Sequence, residues 1–191
     1  MFLFRKDRNE IKDGKGGGVL LCVSSNNIKC VAIDKLHHLK CESLWVELQE
    51  HTGASLTLGV CYRSQSAADS EIREMFTAIR QASKGRCLIT GDFNYPTINW
   101  DELEGNNEDE FLDILQDNFL MQHVDGPTRD GSILDLVISN EIAMVDDIRI
   151  LEHFYPRDVV SMVYAMATWL GGWLAGWMSH AGIVSKRLNL S

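Results

Sequence analysis

The sequence predicts a layered α/β domain, and three observations support this fold class. Apolar runs of strand length are bounded by turn-forming residues, two amphipathic helical patterns lie between them, and 45% of the 191 residues are hydrophobic. This length and composition suit one globular domain with its own core. Strands grouped with intervening helices are typical of sheets covered by helices.

Four strands are predicted in the first third of the chain. Gly16-Gly17-Gly18 forms a turn signal before the first one. The third alternates, with Leu44, Val46 and Leu48 on one face. Because the four runs lie close together, we expect an antiparallel meander. The predicted strands span residues 19–23, 28–33, 42–48 and 55–62.

The pattern then changes to helical spacing. Residues 68–82 place Ile72, Met75, Phe76 and Ile79 on one helical face. A short strand is expected at 86–90, with Gly91 ending it. A second helix begins after Asn107 as its N-cap and runs to about residue 118, and a last strand covers 132–139.

The charge is uneven along the chain. Residues 1–40 carry eight Lys/Arg and four Asp/Glu, a net of +4, whereas residues 41–158 carry eight Lys/Arg and 23 Asp/Glu, a net of −15. An acidic body argues against tight non-specific DNA binding, although it does not exclude an enzyme that uses a metal ion. The five cysteines include no C-x-x-C pair, so we expect buried, reduced thiols in an intracellular protein rather than a zinc site.

The segment most indicative of chemistry is Leu88-Ile89-Thr90-Gly91-Asp92-Phe93-Asn94. A buried strand delivers Asp92 and Asn94 two residues apart, and an extended chain would point both side chains the same way. A carboxylate can activate water and an amide can donate to a phosphate oxygen, a combination suited to phosphodiester hydrolysis. The alternative is a simple turn, since Gly, Asp and Asn are turn formers.

Six segments in order along residues 3–150 resemble the endonuclease/exonuclease/phosphatase superfamily, in particular the endonucleases of non-LTR (LINE-type) retrotransposons. They are Phe4-Arg5-Lys6-Asp7-Arg8, Gly16-Gly17-Gly18-Val19, Glu42-Ser43-Leu44-Trp45-Val46-Glu47-Leu48, Gly59-Val60-Cys61-Tyr62-Arg63-Ser64, Thr90-Gly91-Asp92-Phe93-Asn94-Tyr95-Pro96 and Leu134-Asp135-Leu136-Val137-Ile138-Ser139. The resemblance implies a two-sheet sandwich flanked by helices, and a metal-dependent phosphodiesterase that nicks target DNA to prime reverse transcription.

The resemblance also implies four catalytic residues. Asp92 is similar to the aspartate that activates water, Asn94 to the asparagine that holds the water and phosphate, Tyr62 to the tyrosine that contacts the phosphate, and Asp135 to the aspartate that orients a histidine. From the residues alone, Tyr62 could instead be a half-buried strand tyrosine and Asp135 a hydrogen-bonded buried acid.

The chain departs from the family pattern at both ends. The family's metal-binding glutamate precedes the segment at Phe4, and its closing Ser-Asp-His motif does not occur here, since His153 and Asp158 stand in other surroundings. The family uses Mg²⁺ or Mn²⁺, but we expect no metal ligands in this chain and no catalysis by it. The chain would then be a remnant or fragment of such an endonuclease. The alternatives are a non-catalytic, membrane-tethered protein and an inert gene remnant.

The last segment differs in composition. Residues 159–184 contain no Asp, Glu, Lys or Arg. We therefore divide the chain into a partial endonuclease-like domain at 1–151 and a non-family tail at 152–191, with an apolar helix at about 159–178. The tail could be a membrane anchor, a buried helix or the product of a decayed reading frame, and we favour the last. Expected partners are DNA, by resemblance, and a membrane or a second copy through 159–184; the expected location is the nucleus or cytoplasm, or a membrane through the tail.

Overall fold

The computed structural model describes residues 2–7, 18–24, 29–37, 40–49, 53–105, 109–145, 148–151, 161–168, 171–178 and 182–188. The strands are β1 (Phe2–Asp7), β2 (Gly18–Ser24), β3 (Lys29–Ala32), β4 (Glu42–Gln49), β5 (Ser55–Tyr62), β6 (Cys87–Asp92), β7 (Met121–Gln122), β8 (Asp135–Ser139), β9 (Ile148–Leu151), β10 (Ser161–Thr168), β11 (Gly171–Met178) and β12 (Gly182–Leu188). The helices are α1 (Asp34–His37), α2 (Asp69–Ala82) and α3 (Asp109–Asp117), and Ile142–Met144 form a 3₁₀ turn.

The strands form two six-stranded sheets. The first has the order β1-β2-β10-β11-β12-β9, and the second has the order β3-β4-β5-β6-β8-β7. In the second sheet β5 and β6 are parallel, and α2 connects them as the crossover that parallel neighbours require. The structure is therefore the α/β sandwich with flanking helices that the sequence predicts.

Two hydrophobic clusters cover the two faces of the second sheet. Between the sheets, Val60 and Leu88 pack with Leu21 of β2. On the outer face, a second cluster contains Ile79 of α2, Phe111 of α3 and apolar residues of β5, β6 and β8, namely Cys61, Cys87, Ile89, Leu136 and Ile138. This arrangement explains why every residue of β6 and β8 is buried, since a strand covered on both faces has no solvent-facing side. All five cysteines are buried and unpaired.

The first of the four strands expected to form a meander, β2, does not belong to it. β2 pairs with β1 and β10 in the first sheet, whereas β3, β4 and β5 form an antiparallel meander in the second. Closeness along the chain does not decide between these pairings, because the residues between two strands can also carry the chain across to the facing sheet. The N-cap expected at Asn107 lies outside the described residues.

The apolar helix expected at about 159–178 is also wrong, because Ser161–Thr168 and Gly171–Met178 are strands. β10 and β11 pair antiparallel from Ser161↔Met178 to Thr168↔Gly171, β10 lies parallel to β2, and β12 pairs with β9. The apolar run of the tail thus completes the first sheet. Its assignment to a non-family segment beginning at residue 152 stays a prediction.

Two physical features favour strands in the tail. Glycines at positions 171, 172 and 176 each weaken a helix by roughly 1 kcal/mol relative to alanine. β2 and β9 also offer backbone hydrogen-bond partners at the two sides of the tail strands. Periodicity alone cannot separate a buried strand from a buried helix. Within the described part of the chain, no helix has the length and hydropathy needed to cross a bilayer.

Candidate active site at the end of the second sheet

Three polar residues meet where β5 and β6 end and β8 begins. Tyr62 is the register partner of Asp92, and Asp92 is the register partner of Asp135. By strand alternation they lie on the same face of the second sheet as Leu88 and Val137, which belong to the cluster between the sheets. Neighbouring strands lie about 4.8 Å apart, so the three side chains form one row on the inter-sheet face. The structure brings together the residues that the sequence analysis selected.

Gly91 allows Asp92 to stay in this row. Its φ is 153°, and a Cβ added there would lie 1.7 Å from the carbonyl oxygen of Cys61 on the neighbouring strand. A side chain at this position would therefore push β6 away from β5 just before the site. The strand does not end at Gly91, as the sequence analysis expected, but continues through Asp92.

Asn94 reaches the site through a turn. Its φ is 53°, in the left-handed region that asparagine tolerates better than most residues. The Asn94 backbone N–H donates to Asp92 Oδ1 at 3.1 Å, and Asn94 Nδ2 donates to the carbonyl of Arg63 at 3.2 Å. The backbone leaves the extended conformation at Asn94, in line with the turn that the sequence analysis kept as the alternative, and the side chains of Asp92 and Asn94 nevertheless meet at one nitrogen of Arg129.

Arg63 holds this turn in place. Its backbone N–H donates to the carbonyl of Asp92 at 2.8 Å, and its Nη1 donates to the carbonyl of Asn94 at 2.9 Å. The guanidinium also lies 4.1 Å from the ring centre of Tyr95, which stacks on Phe111 of α3 at 4.8 Å. The loop after β6 is thus fixed between the end of β5 and helix α3.

Asp92 is almost completely buried, with 1% of its surface exposed, and it has a cationic partner. Arg129 Nη2 donates to Asp92 Oδ2 at 3.0 Å and lies 3.3 Å from Asn94 Oδ1. A buried carboxylate needs a counter-charge and hydrogen bonds, and here Arg129 supplies the first and Asn94 contributes to the second. The arrangement leaves Asp92 at the centre of the row, between Tyr62 and Asp135.

Asp135 is 2% exposed, and its environment favours the neutral acid. Burial, and after it the neighbouring Asp92 carboxylate, raise the pKa of this carboxyl to about 7, although the hydroxyl of Thr128 and the charge of Arg129 act in the opposite direction. Asp135 Oδ1 has no hydrogen-bond partner among the described residues. The Thr128 hydroxyl oxygen accepts the backbone N–H groups of Leu134 and Asp135, at 3.0 and 3.1 Å.

His123 does not reach Asp135. His123 Nε2 lies 2.7 Å from Ser139 Oγ, at the far end of β8, and Ser139 Oγ donates to the carbonyl of Glu141. Burial lowers the pKa of His123, which suits a neutral structural histidine. His153 and Asp158 lie outside the described residues.

The described residues do not fit a magnesium or manganese ion. They contain no group of three His, Cys, Asp or Glu side chains placed to share a metal. Asp92 Oδ2 is already engaged by Arg129, and a carboxyl that carries a proton near neutral pH, as Asp135 does, is a poor ligand for a hard cation.

Sequence reasoning gave no role to Arg63, Thr128 or Arg129. Arg63 stands within one of the quoted segments, next to Tyr62, but its position alone does not indicate contact with Asn94. Thr128 and Arg129 precede Asp130-Gly131, a strong turn signal that could have marked a sharp reversal leading into β8. The contacts of Thr128 and Arg129 with the site depend on the tertiary fold.

An α/β sandwich with a buried carboxylate, an amide and a tyrosine at the end of one sheet defines a candidate phosphodiester hydrolase. A family described as endonuclease-reverse transcriptase matches residues 56–155, which is 100 of the 191 residues and includes all four predicted site residues. The chain belongs to this family, within the endonuclease/exonuclease/phosphatase superfamily.

Among solved structures, the chain is similar to an endonuclease/exonuclease/phosphatase family protein from Bacteroides thetaiotaomicron. The identity is 11%, the TM-score is 0.45, and the match covers 78% of this chain and 54% of that protein. The chain thus spans about half the length of this relative. No curated protein matches the chain.

Proposed function

We propose that the chain carries the water-activating and phosphate-binding part of a DNA endonuclease site from a LINE-type retrotransposon. The observation that carries the proposal is the row of Tyr62, Asp92 and Asp135 at one end of the second sheet, with Asn94 hydrogen-bonded to Asp92. Membership of the endonuclease-reverse transcriptase family supports the substrate class.

In this proposal Asp92 is the general base. A carboxylate held by a backbone N–H on one oxygen and a guanidinium on the other has a fixed orientation toward an attacking water. Asn94 positions that water, and the phenol of Tyr62 donates to a non-bridging phosphate oxygen. These roles follow the resemblance and the order of the side chains along the row.

Asp135 acts as a positioning residue in this proposal. Its buried Oδ1, unpartnered among the described residues, is suited to a histidine N–H, the role that the resemblance gives it. Because the described residues do not fit a metal, no step is assigned to Mg²⁺ or Mn²⁺. We expect this chain to bind a phosphodiester but not to cut it.

A titration with a thymidine dinucleotide, which carries a single phosphodiester, tests the proposal without requiring turnover. We expect the amide resonances of Arg63, Asn94 and Asp135 in ¹H–¹⁵N spectra of the full chain to shift with saturable dependence on the ligand. Thymidine, which has no phosphate, is the control ligand and should leave these resonances in place. Shifts confined to other parts of the chain, or no shifts at all, would contradict the proposed site.

A further inference from the structure

Arg129 stands at the centre of the candidate site although no sequence pattern assigned it a role. One nitrogen of its guanidinium contacts both Asp92 and Asn94, at 3.0 and 3.3 Å, and 21% of the side chain is exposed. The residue therefore reaches from the buried carboxylate toward solvent.

A tight turn fixes the position of Arg129. Arg129 and Ser132 exchange backbone hydrogen bonds of 3.1 and 2.9 Å, and Asp130 and Gly131 between them have positive φ values of 51° and 80°. Thr128 is buried and accepts two backbone N–H groups at the start of β8. The guanidinium is thus presented by a rigid element rather than by a long flexible loop.

The row is surrounded by carboxylates, so binding of an anionic ligand there requires a cation such as Arg129. Asp92 contributes one negative charge next to the place where a phosphate would lie. Glu42, the register partner of Tyr62 on β4, and Glu71 of α2 line a pocket together with Tyr62. Arg63 is near, but its guanidinium holds the carbonyl of Asn94 and the ring of Tyr95. A phosphodiester anion entering this site meets unfavourable carboxylate charge unless Arg129 offsets it.

We propose that Arg129 is the phosphodiester-binding cation of this site, and that it holds the phosphate without a metal ion. This inference rests on the proposed function. A guanidinium matches phosphate oxygens geometrically and remains charged at any working pH, so it can neutralise Asp92 in the absence of ligand and the phosphate in its presence. Arg129 is then both the partner of the base and the anchor of the substrate.

The rival interpretation is that Arg129 only neutralises Asp92 and blocks the site. The two interpretations separate in an Asp92→Asn background, because removal of Arg129 there leaves no buried carboxylate without its counter-charge, so the loss of Arg129 should not unfold the protein. If Arg129 binds phosphate, Asp92→Asn should tighten dinucleotide binding by removing a repulsive charge. Asp92→Asn/Arg129→Gln should then bind roughly tenfold more weakly, or worse, than Asp92→Asn alone.

The measurement is the dinucleotide affinity of the full-length wild type, the two variants and a matched control. Arg86→Gln removes the same charge from a side chain of similar exposure, 26%, which pairs with Glu141 at the other end of β6, about 20 Å from Asp92. It should bind like the wild type. Binding should also persist when EDTA removes divalent ions.

Each outcome has a defined meaning. If the double variant binds the dinucleotide as tightly as Asp92→Asn does, or more tightly, the role of Arg129 is overturned but the proposed function stands. Loss of dinucleotide binding in EDTA would have the same meaning. An equal loss in Arg86→Gln would show that only overall charge matters and would also overturn the role. Failure of both the wild type and Asp92→Asn to bind the dinucleotide would overturn the proposed function itself.

Discussion

Replacement of Asp135 by asparagine should stabilise the protein at alkaline pH. Asparagine has nearly the shape of the neutral acid but cannot ionise. The pKa of Asp135 is raised to about 7 by burial and by the Asp92 carboxylate, whereas the ordinary value of an aspartate side chain is 3.8. The folded protein therefore binds this proton more tightly than the unfolded chain, and the stability due to that proton is lost as pH rises from about 4 to about 7.

The magnitude follows from the shift. Each pKa unit corresponds to about 1.4 kcal/mol, so a rise from 3.8 to about 7 costs the wild type about 4 kcal/mol once Asp135 is fully ionised. At a pH near 4 the wild type and Asp135→Asn should have similar free energies of unfolding, within the roughly 1 kcal/mol of an altered hydrogen bond. Near pH 8 the variant should be more stable by an amount approaching 4 kcal/mol.

Urea unfolding of the full chain across this pH range measures the difference. Asp113→Asn, at an exposed position in α3, is the matched control and should give a small, nearly constant difference from the wild type. If Asp135→Asn were instead less stable than the wild type near pH 8, the Asp135 carboxylate would be stabilised by its surroundings. The account of a buried row of two competing carboxyls would then be wrong.

Three further perturbations test the frame and the chemistry of the site. Gly91→Ala places a Cβ 1.7 Å from the Cys61 carbonyl oxygen and should lower the free energy of unfolding, measured by thermal unfolding, by about 3 kcal/mol or more. Gly85→Ala is the control and should change stability little, because a Cβ there has no atom within 4 Å. Equal effects of the two substitutions would refute the close approach at Gly91. Phe111→Ala removes a ring that is 1% exposed and stacks on Phe93 and Tyr95, so it should lower the free energy of unfolding in urea by about 3–5 kcal/mol. Phe119→Ala, at an 84% exposed position, is the control and should have almost no effect. Supercoiled plasmid in Mg²⁺ should not be nicked above the level of an Asp92→Ala control, because the described residues lack a metal-binding group; nicking that disappears in Asp92→Ala would contradict this.

Sequence pattern predicted the central part of the fold well because its signals are local. The alternation at Leu44, Val46 and Leu48, the helical spacing at 68–82 and the apolar run before Asp92 all correspond to observed elements. Tyr62, Asp92 and Asp135 were also selected as site residues, because each stands within a segment that resembles the family.

The parts that the sequence did not predict depend on contacts between distant residues. Asn94 contacts Asp92 through a left-handed turn, which the composition of the segment permits but does not require. Arg129 reaches Asp92 across 37 positions of sequence, so only the folded chain reveals the pair. The tail forms strands because β2 and β9 offer backbone hydrogen-bond partners, and the apolar composition of the tail alone does not reveal these partners.

A crystal structure of the full chain with the thymidine dinucleotide would test the central claim most directly. The account predicts that the phosphate lies at the end of β5 and β6, with a non-bridging oxygen within about 3.2 Å of the Tyr62 hydroxyl and another within that distance of the Arg129 guanidinium. The account would be contradicted by a dinucleotide bound at another surface, with the Arg129 guanidinium still hydrogen-bonded to Asp92 alone.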